Sequence, residues 1–244
     1  MSFLKMRNVK LSMFHEIKTH ILPYFGYIEA VAGEILTESS GTVYTFANNN
    51  IAYADASGYL APSGVTIYDD GVALSNSVFT VNYVTNIVTL DTTPSGAVTA
   101  DYNFWPVTVL DAFPEGEDFE NADLPLVVID LDSQEDSPYA IGVSSSFWSV
   151  GFFIDVFAPN DGMRYDLTDY IQKGMRYAML YVDFGLAMPL NYDGTMNTDF
   201  NLADQTEATL KLPTKTRAKF LNLGEISPKE KYRSSITGIL TFIS

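Results

Sequence analysis

The sequence has no cysteine and only two histidines, His15 and His20. The first absence excludes a disulfide framework, a thiolate metal site and a cysteine nucleophile, and it fits folding inside a cell. The histidines lie five apart on an expected helix, so they face different sides and make a poor metal pair. The usual general bases and nucleophiles are therefore nearly missing. No glycine-rich phosphate loop follows a strand, and neither a Gly-x-Ser-x-Gly elbow nor a His-Glu-x-x-His helix occurs. Ser144, Ser145 and Ser146 read as a strand edge or turn. No apolar run approaches the roughly 18 residues of a membrane helix, and the opening MSFLKMRNVKLSMF is too broken for a signal peptide. The expectation is a chain with no catalytic residue, no cofactor, no metal and no membrane partner.

Cations are the third scarcity. The net charge is -16, and no Lys or Arg occurs between Lys18 and Arg164, where twenty Asp and Glu residues lie. Seven of the fourteen basic residues fall between Lys211 and Arg233. Phosphate contacts need cations, so the acidic stretch is not a nucleic-acid binder. Such a surface can still border a DNA path, repelling the duplex over about the 8 Å Debye length at physiological salt. Glu115, Glu117, Asp118, Glu120 and Asp123 are dense enough for a hard cation, but they lack the spacing and oriented glycine of a calcium loop. Asp130, Asp132, Glu135 and Asp136 read as solvated too. An acidic enzyme would need a cleft of convergent, perturbed carboxylates, which sequence alone does not select.

What is present points to a packed protein, with 47% hydrophobic and 14% aromatic residues. The organising stretch runs from Leu124 to Gly185. An apolar run from Leu126 to Leu131 is bounded by Pro125 and an acidic Asp132–Asp136 loop. A second run starts near Ala140, and a third spans about Phe147 to Phe157. In the third, Trp148, Val150, Phe152, Ile154 and Val156 share one face at the strand period, with Gly151, Phe153 and Phe157 opposite. Asn160 or Asp161 then offers an N-cap. Met163, Leu167, Tyr170, Ile171, Gly174, Met175 and Ala178 recur at helical spacing, predicting a helix of roughly 18 residues. A hairpin feeding a helix that folds back over it is an α+β nucleus.

Before this nucleus, Leu11 to Tyr27 predicts a helix with Leu11, Phe14, Ile17, Ile21 and Leu22 in one stripe, ended or bent at Pro23. Residues 34–105 change texture. Thr42–Ala47, Val65–Tyr68, Val78–Tyr83, Ile87–Asp91 and Ala97–Phe104 read as short strands, and Asp70-Gly71 and Pro94-Ser95-Gly96 as turns. The reading is a small antiparallel β sandwich or barrel inserted into a core of residues 1–33 and 106–244. Beyond the core helix, Tyr181–Phe184 adds a strand and Pro189–Gln205 a long loop. Thr209–Leu212 and Lys215–Leu221 look strand-like. The last strand, Tyr232–Ile243, has Ile236, Leu240 and Phe242 on one face.

The order LPLVVID (124–130), Ile141-Gly142, Trp148–Phe157 ending in Ala158-Pro159-Asn160, then Arg164-Tyr165-Asp166-Leu167 opening a helix, resembles tailed-bacteriophage tail terminator (tail completion, neck) proteins. The likeness covers the first helix and residues from about 107 onward. The segment FTVNYVTNIVTL (79–90) with PSGAVTADY (94–102) is similar to β modules of phage virion proteins. The resemblance implies an α+β subunit whose mixed or antiparallel sheet is packed by two helices. It implies a homo-oligomeric ring, typically a hexamer, capping the tail tube. The partners it implies are tube, sheath and head-connector proteins, with genomic DNA passing through the lumen without specific binding. Such a protein belongs to the virion and assembles in the host cytoplasm. Candidate assembly contacts are Arg217, Lys219, Lys231, Arg233, Ile236, Leu240 and Phe242. The alternatives are another neck or tail-associated role, or an adhesion module binding carbohydrate through Tyr53, Tyr59, Tyr68, Tyr83 and Tyr102.

Overall fold

The structure, a computed structural model, describes residues 5–53, 64–114, 117–138, 146–176, 179–210, 216–221 and 228–243. It is α+β, with mostly antiparallel sheets and few helices. The chain divides into two compact units. The first holds Met1–Phe25, Val107–Gly185 and Leu202–Ser244; the second holds Gly26–Pro106 and Leu186–Asn201.

Helix α1 (Met6–Glu16) begins earlier than the expected Leu11 and runs into a π-helical turn, Ile17–Ile21, and then α2 (Leu22–Tyr24). Its buried stripe is Val9, Met13, Ile17 and Ile21, at most 4% exposed. Four-residue spacing holds this stripe together, while Leu11 and Phe14 flank it half-buried. The π turn also overturns the placement of the histidines. In an α-helix, residues five apart point about 140° away from each other. The widened turn instead brings the His15 and His20 rings edge-on with centroids 5.8 Å apart.

In the second unit, β1 (Glu29–Ile35), β2 (Thr37–Ser40), β3 (Val43–Thr45), β4 (Val65–Asp69), β5 (Val72–Ala73), β6 (Phe79–Asn82), β7 (Ile87–Leu90) and β8 (Val98–Phe104) form two antiparallel sheets. Their orders are β1-β8-β4-β5 and β2-β3-β7-β6. All five expected strands are present. β1 and β2 lie outside that expectation because they are outer strands with mostly exposed residues, so no apolar face marks them. Asp70 and Gly71 both have positive φ, 48° and 79°, as a tight turn from β4 to β5 requires. One apolar core includes Tyr44, Phe46, Tyr53, Ile67, Val88 and Trp105.

The expected Pro189–Gln205 loop is ordered into other things. Residues 186–201 belong to the second unit, where Leu190 and Met196 pack against its core and pair with each other in an isolated bridge. Tyr83 N–H donates to the Gly194 carbonyl at 2.9 Å, and Asn82 Nδ2 to the Asp193 carbonyl at 2.6 Å. Gly194 needs to be glycine: its φ is +85°, and an added Cβ would lie 2.4 Å from Asn82 Oδ1.

In the first unit, β9 (Thr108–Leu110) runs parallel to β10 (Leu126–Pro138), and α3 (Glu117–Asn121) lies between them in sequence. β10 pairs antiparallel with β11 (Ser146–Phe157). The expected Asp132–Asp136 loop is instead strand, carried through a bulge between Leu131 and Ser133 because β11 supplies partners as far as Ser146. The second run, near Ala140, lies outside the described residues. Val150, Phe152, Ile154 and Val156 are buried, as their alternation predicts. Asn160 caps α4 (Asp161–Gly174) by accepting from Met163 N–H at 2.9 Å. The helix is 14 residues long, shorter than expected. Gly174 allows close approach there, since a Cβ would fall 2.6 Å from Ile21. β12 (Met179–Val182) pairs with β13 (Thr206–Leu210), after the short α5 (Leu202–Gln205). β14 (Arg217–Leu221) and β15 (Arg233–Ile243) complete the five-stranded order β14-β15-β11-β10-β9.

Buried polar groups on α1 fasten it to the end of β12. Asn8 Nδ2 donates to Asp183 Oδ1 at 2.6 Å, Val182 N–H donates to Ser12 Oγ at 3.0 Å, and Lys5 lies 3.8 Å from the same carboxylate. Each of these partners satisfies a group that would otherwise be costly to bury.

Candidate assembly surface

β15 alternates as the period demands. Ser234, Ile236 and Leu240 point to the face buried beneath α4, where Thr168 Oγ1 and Ser234 Oγ are 2.6 Å apart. The Thr168 hydroxyl already donates to the Arg164 carbonyl, so Ser234 is the donor of this pair. Arg164, 6% exposed, ties helix to strands: Nη1 donates to the Leu221 carbonyl at 2.9 Å and to the Arg233 carbonyl at 3.4 Å. Its guanidinium lies 5.0 Å from the Tyr165 ring and 5.3 Å from Phe220, and it pairs with Asp161. Tyr165 and Phe220 remain about half-exposed, with ring centroids 4.7 Å apart.

Among the described residues, the opposite face is packed by aromatic rings at one end. Phe113 and Phe119 pack against Phe157 there, and Arg233 lies 5.2 Å from the Phe157 ring. Farther along, the register partners Arg217 and Thr237 are both exposed, and Ile239 is 54% exposed. Among the described residues, β14 is the last strand of the sheet on this side.

The seven candidate contacts separate by location. Arg217 and Lys219 are exposed on β14, and among the described residues neither makes an ion pair. Lys231 is exposed, its ammonium 5.1 Å from the Tyr232 ring. Ile236 and Leu240 have 0% exposure, which withdraws them as assembly contacts: the apolar face of the last strand is spent on the chain's own core. Arg233 is likewise committed inward, donating to Asp155 Oδ2 at 2.9 Å and Glu230 Oε1 at 2.8 Å. Phe242 pairs with Trp148 through the backbone register, and its side chain lies outside the described residues. Tyr165, Phe220 and Ile239 are surface residues that the sequence pattern did not single out. Phe220 had a signal, an aromatic placed next to Lys219 on a strand-like run, whereas Tyr165 and Ile239 matter only because the tertiary fold leaves them uncovered.

The second unit handles charge differently. Its segments contain ten Asp and Glu residues and no Lys, Arg or His. Carboxylates there are held by neutral donors. Glu34 accepts from Ala47 N–H at 2.9 Å and Tyr102 Oη at 2.6 Å; Asp101 accepts from Gly33 N–H at 2.7 Å and Tyr68 Oη at 2.8 Å. The Gly33 and Tyr68 bonds hold Asp101 below its ordinary pKa, and the Ser95 and Gly96 N–H groups do the same for Asp69. Burial and the Glu34 carboxylate push the Tyr102 phenol up to about 12. Tyr53, Tyr83 and Tyr102 sit in the core, at most 8% exposed, so they form no sugar-stacking platform; Tyr59 lies outside the described residues. Among the described residues no three His, Asp or Glu side chains gather as a metal site. No helix among them is long and apolar enough to cross a membrane.

No known protein family, curated protein or solved structure matches this chain.

Proposed function

We propose that this chain is a structural subunit of a tailed-bacteriophage particle, a tail terminator that forms a ring on the head-proximal end of the tail tube. It works by docking to copies of itself and to tube, sheath and connector proteins, and it carries out no chemistry. DNA passes its lumen without specific binding, which a surface poor in cations favours. The observation that carries the reading is the order of elements over residues 124–174, a hairpin ending in Ala158-Pro159-Asn160 that feeds a capped helix opening at Arg164-Tyr165-Asp166-Leu167. The tail-terminator resemblance rests on this order. An outer strand bearing exposed Arg217 and Lys219 supports a docking role. The same observation accommodates another neck or connector subunit as the second reading, and gives no support to carbohydrate adhesion.

Native mass spectrometry and negative-stain microscopy of the full chain, alone and with tail tubes, test the proposal. Closed rings, or density capping tube ends, are expected. A protein that stays monomeric at every concentration and ignores tubes overturns it.

A further inference from the structure

Among the described residues, two sheet borders are unfinished in complementary ways. One is β14, the outer strand of the five-stranded sheet, with Arg217 and Lys219 exposed. The other runs along residues 29–40. β1 ends one sheet of the second unit and β2 ends the other, separated only by Leu36, so a short stretch of chain borders both sheets. This border carries Glu29, Glu34 and Glu38, and its whole unit has no cation to neutralise them. Glu34 is occupied by Tyr102 and Ala47; Glu29 and Glu38 are exposed, Glu38 also accepting from Gly41 N–H at 3.0 Å.

We propose that neighbouring copies join border to border, with β14 of one copy lying along the β1–β2 border of the next. The inference rests on the ring reading above and names its interface. Outer strands offer unpaired backbone N–H and C=O groups as a template for another strand. Charge then selects the pairing. β14 against β14 sets Arg and Lys opposite one another, and the acidic border against itself sets Glu opposite Glu, both unfavourable; only the mixed pair attracts. Apolar surface is available on both sides. Ile35 on β1 is 74% exposed, and beside β14 Phe220 is 43% and Tyr165 48% exposed. Because the two borders are different surfaces, the contact is head-to-tail, the type that closes into a ring when its rotation permits.

The test uses full-length chains and charge reversal. One variant carries Arg217→Glu with Lys219→Glu, the other Glu29→Lys with Glu38→Lys. All four positions are exposed, and thermal melts report whether each variant folds. Analytical ultracentrifugation is expected to show wild-type oligomer and a roughly 30-fold weaker association for each variant alone. An equimolar mixture of the two folded variants is expected to reassemble, since each then meets an opposite charge on both sides. Variants that associate like wild type place the interface elsewhere and overturn the proposal while leaving the ring reading intact. Variants that separate but do not reassemble on mixing also overturn it. A wild type that never associates, even on tubes, removes the ring reading and this interface together.

Discussion

The two units solve the same problem, holding carboxylates in place, with opposite chemistry. In the first, cations hold several of them, Arg233 on Asp155 and Glu230 and Lys10 on Asp130 at 2.8 Å, while Asp183 takes its hydrogen bonds from Asn8 Nδ2 and Gly185 N–H with Lys5 3.8 Å away. In the second there is no cation, and backbone N–H groups, hydroxyls and tyrosine phenols take that place. The contrast shows that an acidic composition need not leave carboxylates unsupported. A phenol or amide donates a directed hydrogen bond without adding positive charge, so the second unit holds these carboxylates without any cationic side chain.

Removing a charged donor is the most damaging way to probe this contrast. Arg233→Ala strands Asp155, only 2% exposed, without its counter-ion. The expected cost is about 3 to 4 kcal/mol in urea denaturation. Hydrogen exchange should place the loss in β11 and β15; an equal loss in β4 and β8 would break the comparison.

Acid should separate the units next. His15 is buried, its Nε2 has no hydrogen-bond partner among the described residues, and burial together with the nearby His20 and Lys18 lowers its pKa from 6.5 to about 4. The unfolded chain takes up this proton near pH 6.5 while the folded chain resists until about 4, so stability falls as pH drops through that window. The loss is up to about 3 kcal/mol, offset in part by Glu16, whose pKa burial raises. In the second unit Asp69 and Asp101 have lowered pKa values, so their contribution is present above about pH 4 and is lost only below it. His15→Gln should flatten the pH profile of denaturation between 6.5 and 4, and a profile unchanged by that substitution removes His15 as its cause.

Smaller effects sharpen the picture. Gly174→Ala presses a methyl into Ile21 and should cost about 2 kcal/mol, seen as a lower midpoint of unfolding with loosened α1 and α4. Tyr102→Phe removes one donor from Glu34 and the acceptor of Asn48 Nδ2, and leaves Ala47 N–H in place. About 1 to 1.5 kcal/mol is expected, nearly independent of salt because the lost donor is neutral. Strong salt dependence would show that the phenol acts in place of a charge after all.

Several elements are legible in the residues alone. The period-two alternation of Trp148 to Val156 identifies β11 and its buried face, and Asn160 reads as a cap because a short polar side chain precedes a helical stripe. Asp70-Gly71 marks its turn by the need for two positive φ angles. Other features have no local signature. β1 and β2 are strands because β8 and β3 offer them partners, and the acidic end of β10 is strand because β11 continues opposite it. Pro189–Gln205 reads as a loop until Asn82 and Tyr83 are there to receive Asp193 and Gly194.

By itself, then, the sequence determined composition-level properties and local periodicity: an α+β chain, its capped helix, its alternating strands, and the exclusion of cysteine chemistry. These depend on residue type and near-neighbour spacing, which a linear string contains. Tertiary structure alone decided which face of β15 is spent internally, that Arg233 turns inward while Arg217 and Lys219 stay exposed, and that a π turn brings His15 to His20. Those outcomes depend on which distant segments compete for the same surface, and burial, pairing and exposure are properties of that competition.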